Sequence, residues 1–405
     1  MFAPLCYPPA GSEAIATAKL LLAALDAKWE LDVVCQADFG QYYPATGDGV
    51  WESIAGIVHR IGASKSSGVL RRFRHRSATT AFGSLQSLRW AKKASSIGSR
   101  LLSRRKYDFI LSRATPQYGH LPALVLSRSS GLPWIANWSD PIPPAQAPPP
   151  YGRGPHAAVP FYVRRYCSAV ARRATWHTFP CNRLLRYVSS YLPELLQKSS
   201  VIPHIALGRF RSDLAVKNSK FSMCYAGSLG FRNPDVFLKG VRAFLDRMRL
   251  GEDIRVTFVG PPLESLRATV SHLNLDGVVS IEGTKSYEVT QEILARADVS
   301  VVLEPPFDEG IFFPSKFVDL VQTGRPILAV SPVEGTLSDI VLTNGGGIVA
   351  DCRSSDAVAQ AIERLYSAWA AGTLDSDYGS AHLFSLFSEE HVLEQYSEIF
   401  ERIRN

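Results

Sequence analysis

The chain is short of several things, and each shortage removes a class of protein. Its six cysteines include no C-x-x-C pair, and 405 residues with 46% hydrophobic content do not describe a disulfide scaffold or a disordered chain. The nine histidines have no paired ligand spacing, and the one D-x-D, Asp375-Ser-Asp377, lies in a late polar stretch, so no metal is expected. There is no G-x-x-x-x-G-K-[ST], and Gly227-Ser-Leu-Gly230 lacks the third glycine of G-x-G-x-x-G, which argues against a P-loop kinase and a conventional dinucleotide fold. Long apolar runs are missing too: Ala14 to Leu25 is broken by Lys19 and ends at Asp26, short of the roughly 18–20 residues a membrane span needs. No secretory signal opens the chain, so the thiols are expected to be reduced in a cytoplasmic protein.

What is present is unevenly distributed. Residues 1–220 carry 29 Lys and Arg against 11 Asp and Glu, a net of +18, whereas residues 221–405 carry 15 against 26, a net of −11. A field of that size on one half attracts polyanions or an anionic membrane surface to that half alone.

Short runs rich in Val, Ile and Phe alternate with helix-length amphipathic segments, the pattern of parallel sheets in an α/β protein. The runs in the first half are Leu31–Cys35, Tyr107–Leu111, Leu132–Asn137 and, more weakly, Val201–Ile202. Those in the second are Phe221–Ala226, Ile254–Gly260, Val278–Glu282, Asp298–Leu303, Pro326–Val330 and Gly347–Ala350. Two doubly wound, Rossmann-like domains follow, spanning 1–205 and 206–387, with ligands expected at the carboxyl ends of the strands in a cleft between them. A final helix over 388–405 either caps the second domain or crosses back to the first. Residues 139–160 hold eight prolines and must be irregular, either a surface loop or a mobile cover over that cleft.

Two segments could bind an oxyanion. Pro8-Pro-Ala-Gly-Ser-Glu13 precedes a helix and places the backbone of Gly11 and Ser12 at its positive end, although a serine there can be no more than an N-cap. The sharper one runs EPPFDEGIFFPSKFVDLVQTGRPILAVSP, from Glu304 to Pro332. Phe313 and Pro314 lead into a helix beginning Ser315-Lys316, so free backbone N–H groups and an ammonium converge where a diphosphate fits. One turn later Asp319 can accept hydrogen bonds from the vicinal hydroxyls of a ribose.

This stretch resembles the donor site of retaining GT-B glycosyltransferases, in particular glycosyltransferase family four, with its P-S-K-x-x-[ED] helix followed by G-[KR]-P-[VI]-[LI]. The likeness extends to the opening P-P-x-G-S-E, to Ser139-Asp140-Pro141 after a strand, to Tyr225-Ala-Gly-Ser-Leu229 and to Phe258-Val-Gly260. It implies a metal-independent enzyme, without a cofactor, that moves a sugar from a nucleotide-diphosphate sugar to a glycan or polyprenyl-diphosphate-linked acceptor with retention, in bacterial exopolysaccharide, O-antigen or capsule synthesis. It further implies donor-phosphate contacts at Gly11, Ser12, Gly227, Ser228, Arg232, Ser315 and Lys316, with Arg232 opposing charge that builds on the leaving diphosphate. Two positions depart from the family pattern. Where a glutamate is usual eight residues before the helical acid, this chain has Ile311, leaving Glu309-Gly310 to supply the sugar contact from a shifted loop. Where a histidine is usual at a first-domain strand end, it has Ser112-Arg113, leaving His120 and Asp140 as the groups nearest the reacting carbon. A nucleotide-sugar epimerase and a binding module without turnover are the other readings of the same architecture.

The basic half carries its charge in two stretches. From Arg60 to Lys106 there is no Asp or Glu among Arg71, Arg72, Arg74, Arg76, Arg89, Lys92, Lys93, Arg100, Arg104, Arg105 and Lys106, and apolar residues including Trp90 are interleaved. The second stretch, Phe161 to Tyr191, contains Arg164, Arg165, Arg172, Arg173, Trp176 and Tyr187. Peripheral attachment to the anionic inner face of a membrane is expected. No nucleic-acid recognition motif accompanies the charge, so no nucleic-acid partner is expected.

Overall fold

The computed structural model describes residues 1–37, 49–62, 85–211, 218–249, 253–261 and 263–404. Of these, the residues through His204 and from Glu390 onward gather into one compact unit, and Ile205–Glu389 into a second.

In the first unit, β1 (Val33–Gln36) pairs with β2 (Val58–Ile61), and β3 (Ile110–Ala114), β4 (Trp134–Trp138), β5 (Trp176–Phe179) and β6 (Ser199–Val201) follow side by side, all parallel. The opening residues join the two groups. Phe2 bridges both Val34 and Ser112 in parallel, its N–H donating to Leu111 O at 2.8 Å while its carbonyl accepts from Arg113 N at 2.9 Å. With that opening segment counted as the first strand, the sheet follows the order 3-2-1-4-5-6 with one strand added. Chain direction across the sheet reverses beside residues 1–4, and this is where α/β proteins place ligands. β4 and β5 are buried at every position, as strands covered on both faces require.

The second unit repeats the scheme. β7 (Phe221–Ala226), β8 (Ile254–Val259), β9 (Val279–Gly283), β10 (Val299–Leu303), β11 (Ile327–Ser331) and β12 (Gly347–Asp351) form one parallel sheet ordered β12-β11-β10-β7-β8-β9. Its reversal point lies between β7 and β10. Helices Asp235–Met248 and Ser355–Ala371 cover one face, burying Phe237, Val241, Phe244, Val358, Ile362 and Leu365 against the strands. All six apolar runs of this half are strands.

Periodicity was less informative in the first half. β2 and β5 were not anticipated, and β3 starts at Ile110 rather than Tyr107. Trp176 sits in a stretch whose sequence reads as basic and amphipathic, but it lies in β5, 8% exposed, with its Nε1 donating to Ser200 Oγ at 2.9 Å. Trp90 likewise faces inward from the helix Leu85–Arg104, its ring 5.4 Å from that of Tyr118. The proline-rich stretch 139–160 is fastened to its own unit. Tyr187 Oη donates to Gln146 O at 2.7 Å, Gln146 Nε2 donates to Pro155 O at 2.8 Å, and Ile142 and Ala147 are buried.

Candidate functional site

In the second unit the reversal point brings the carboxyl end of β7 against the loop that follows β10. Gly227 leaves β7 with φ +138, and a Cβ there would lie 1.4 Å from Lys316 Nζ. Glycine is therefore demanded twice, by the backbone angle and by the side chain resting on it. Lys316, on the short helix Ser315–Val321, donates from Nζ to Ala226 O at 3.0 Å. Gly260, at the end of β8, packs as closely on the far side, where a Cβ would approach Gly227 O to 2.3 Å.

Two groups here have displaced proton affinities. Burial, helped by the positive charge of Arg232, lowers the Lys316 ammonium to about 8, with Asp319 pulling the other way. Burial raises the Glu304 carboxyl to about 8, and Arg232 only partly offsets it. Arg232 thus acts electrostatically on both, which places it, Lys316 and Glu304 in one local field. Asp319 is fixed by Tyr287, whose hydroxyl donates to Oδ1 at 2.7 Å. Ser228 lies on the Gly227 turn, its carbonyl accepting from Tyr225 Oη at 3.0 Å.

Gly227, Ser228, Arg232, Pro314, Ser315, Lys316 and Asp319 therefore belong to one neighbourhood. The helix itself has only seven residues. Phe313 is a packing residue, buried between Phe317 and Phe387 with ring centroids 5.9 and 5.5 Å away. Glu309 is exposed, and Asp308 is paired with Arg353 at 2.7 Å. Gly310 is pinned to Gly335 by two backbone hydrogen bonds of its loop, Gly310 N to Glu334 O and Thr336 N to Gly310 O, both 2.8 Å. Glu304 was not singled out from sequence. The available signal was a carboxylate directly after a strand that is buried at every position.

The first unit gathers its own polar group at its reversal point. Gly11, with φ +87, caps the helix Ser12–Asp26, and Glu13 in its first turn reaches Arg113 on β3. Arg113 Nε donates to Glu13 Oε1 at 3.1 Å, and Ser139 Oγ lies 3.2 Å from the same oxygen. Thr115 Oγ1 donates to Asp140 Oδ2 at 2.6 Å. Burial raises the pKa of both Glu13, against the pull of Arg113, and Asp140, against its bond from Thr115. Gly11, Ser12, Arg113 and Asp140 are thus brought together, and Glu13 joins them as a residue missed from sequence. His120 stands apart. It is fully buried, its Nδ1 2.8 Å from Ser112 Oγ and its ring against Trp138, and burial lowers it to about 3, so it is a neutral packing group.

Among the described residues no three His, Cys, Asp or Glu gather as a metal site, and no helix is long and apolar enough to cross a membrane.

Residues 220–368 match the family model for glycosyl transferases group 1. No curated protein sequence matches the chain. Among solved structures it resembles Anabaena HepE in complex with UDP and glucose, at 13% identity over 99% of this chain and 98% of that one, TM-score 0.67. It also resembles the sucrose-phosphate synthase of Thermosynechococcus elongatus, at 15% identity over 98% and 94%, TM-score 0.69. A UDP-N-acetylglucosamine 2-epimerase is similar at 12% identity over 93% and 89%, TM-score 0.54. At such identities these likenesses establish the fold, two Rossmann-like α/β domains of the GT-B type, and together with the family match over the second unit they support a glycosyltransferase.

Proposed function

We propose that the protein transfers a sugar from a nucleotide-diphosphate donor to a glycan or lipid-linked acceptor with retention of configuration. The observation that carries this reading is the convergence of Arg232 and Lys316 on the Gly227 turn at the reversal point of the second sheet. Two cations beside a turn that admits no side chain suit the diphosphate, and Asp319, oriented by Tyr287, suits the ribose hydroxyls. Cleaving the sugar–phosphate bond moves negative charge onto the leaving diphosphate, and fixed cations stabilise that charge more in the transition state than in the ground state. Arg232 and Lys316 would supply the neutralisation that a metal ion supplies elsewhere.

The reaction proposed is front-face displacement. The acceptor oxygen attacks the anomeric carbon from the side the diphosphate leaves, one C–O bond forms as the other breaks, and the acceptor proton passes to the departing phosphate oxygen. Gly11, Ser12, Arg113 and Asp140, with Glu13, are proposed as the substrate-facing group of the first unit.

A bacterial surface-polysaccharide role and attachment to the anionic inner face of the membrane belong to the same proposal. Exposed Arg89, Lys92, Lys93, Arg100 and Arg104 line one side of the helix Leu85–Arg104. Phe161 and Tyr162 are 69% and 49% exposed beside Arg164 and Arg165, so aromatic and basic groups do share a surface at the start of the helix Phe161–Arg173. Arg71, Arg72, Arg74 and Arg76 lie outside the described residues.

The test is a panel of UDP- and GDP-sugars. A donor that raises the unfolding temperature, followed by transfer to a lipid-linked glycan unaffected by EDTA, supports the reading. Turnover of the donor without any acceptor points to an epimerase, and a product of inverted anomeric configuration overturns the retaining mechanism.

A further inference from the structure

Glu304 is the one buried carboxyl of the E-P-P-F-D-E-G stretch, 6% exposed, and its Oε2 has no hydrogen-bond partner. Its backbone is held by the sheet, with its N–H donating to Val330 O at 2.9 Å, so the side chain is presented from a rigid element at the carboxyl end of β10. A buried carboxyl oxygen without a donor is costly, and native proteins seldom keep one unless something else satisfies it. The backbone beside it is the close-packed pair Gly310 and Gly335. A Cβ on Gly310 would stand 3.7 Å from Oε2 and only 3.2 Å from Gly335 Cα, and one on Gly335 would stand 3.1 Å from Gly310 Cα. The other acids of the stretch are unavailable for this task, Asp308 being paired with Arg353 and Glu309 exposed, while position 311 is an isoleucine buried to 1%.

We propose that Glu304 is a specificity-determining residue that receives a hydroxyl of the transferred sugar, beside the diphosphate held by Arg232 and Lys316. This rests on the glycosyltransferase reading of the second unit. The carboxyl's displacement to about 8 supports the geometry, because a neutral carboxylic acid can both donate to and accept from a sugar hydroxyl and does not consume the charge of Arg232.

The experiment compares nucleotide diphosphate with nucleotide sugar on the full chain and on Glu304→Leu and Glu304→Gln. UDP, UDP-glucose, GDP and GDP-mannose are titrated by calorimetry, with circular dichroism checking that each variant is folded. In the parent, one sugar nucleotide should bind more tightly than its diphosphate. In Glu304→Leu that advantage should fall by roughly 10- to 100-fold while the diphosphate itself binds within about threefold of the parent. Glu304→Gln, which keeps an acceptor and a donor, should retain part of the advantage and serves as the folded control should the leucine variant not fold. If either folded variant keeps the parent's full preference for the sugar nucleotide, Glu304 is a packing residue and the inference is overturned. If no diphosphate binds the parent at all, the donor-site reading itself fails, and the inference with it.

Discussion

The two units solve the same topological problem and leave different electrostatic remainders. Each sheet reverses direction beside its first strand and collects polar side chains there. In the first unit they bond to one another: Glu13 pairs with Arg113 and accepts from Ser139, and Asp140 accepts from Thr115. In the second, Arg232 and Lys316 repel, Glu304 has an oxygen with no donor, and a glycine turn lets the Lys316 side chain lie directly on the backbone. A closed set of pairs gives stability and orientation. An open set with surplus positive charge has to be completed from outside, which suits an anionic ligand. The proposed diphosphate site lies in the acidic half of the chain, and on that reading local arrangement outweighs a net charge of −11, most of which lies on exposed side chains.

The sharpest way to break the comparison is to remove the open cations. Arg232→Ala and Lys316→Ala should each lower kcat by roughly 10²–10³ with little change in unfolding temperature, as expected for groups that act mainly on a developing anion. Steady-state kinetics beside thermal melts would check it, and equal losses in activity and stability would make Arg232 and Lys316 structural residues. Next in size, Arg113→Met should cost about 3 kcal/mol in denaturant unfolding because it leaves Glu13 buried without its cation, whereas adding Glu13→Gln should recover part of that loss. Reversing Arg164 and Arg165 to Glu should weaken binding to anionic vesicles by at least about 2 kcal/mol at low salt and leave stability unchanged, measured by flotation.

The smallest expected effect is on pH. Below about 8 Lys316 is charged and Glu304 neutral; above it Lys316 loses its charge and Glu304 gains one. Arg232 faces both groups and Asp319 faces Lys316, and a bound diphosphate would draw protons onto both. Affinity for the diphosphate should therefore fall as pH rises through about 8, by roughly tenfold for each 1.4 kcal/mol of lost interaction, with proton uptake visible as a buffer-dependent enthalpy. Glu304→Gln should remove its share of that dependence.

The second unit was the more legible from sequence because its strands are predominantly apolar runs and much of its site lies in one stretch, Glu304 to Asp319. Lys316 and Asp319 could be placed by helix rules, and the Gly227 turn by the family resemblance. Glu304 escaped because its significance depends on what surrounds it, which no local pattern records. In the first unit, β5 begins with a tryptophan amid arginines, and β2, Val58–Ile61, carries His59 and Arg60, so charge masked the strand signal. Arg113 and Glu13 are 100 residues apart, and only the parallel pairing of the opening segment with β3 brings them together. His120 was ambiguous because a histidine at the start of a helix looks alike whether it faces a ligand or two tryptophans.

The proline-rich stretch has a practical consequence. Its composition reads as a surface loop or a mobile cover, yet its turns are bonded to one another and to Tyr187, and Ile142 and Ala147 are set into the core. Prolines restrict the unfolded chain, so ordering this segment sacrifices little entropy. A protease of broad specificity should therefore leave residues 139–160 intact in the native protein, and an epitope tag inserted there would disturb the first unit rather than hang from it.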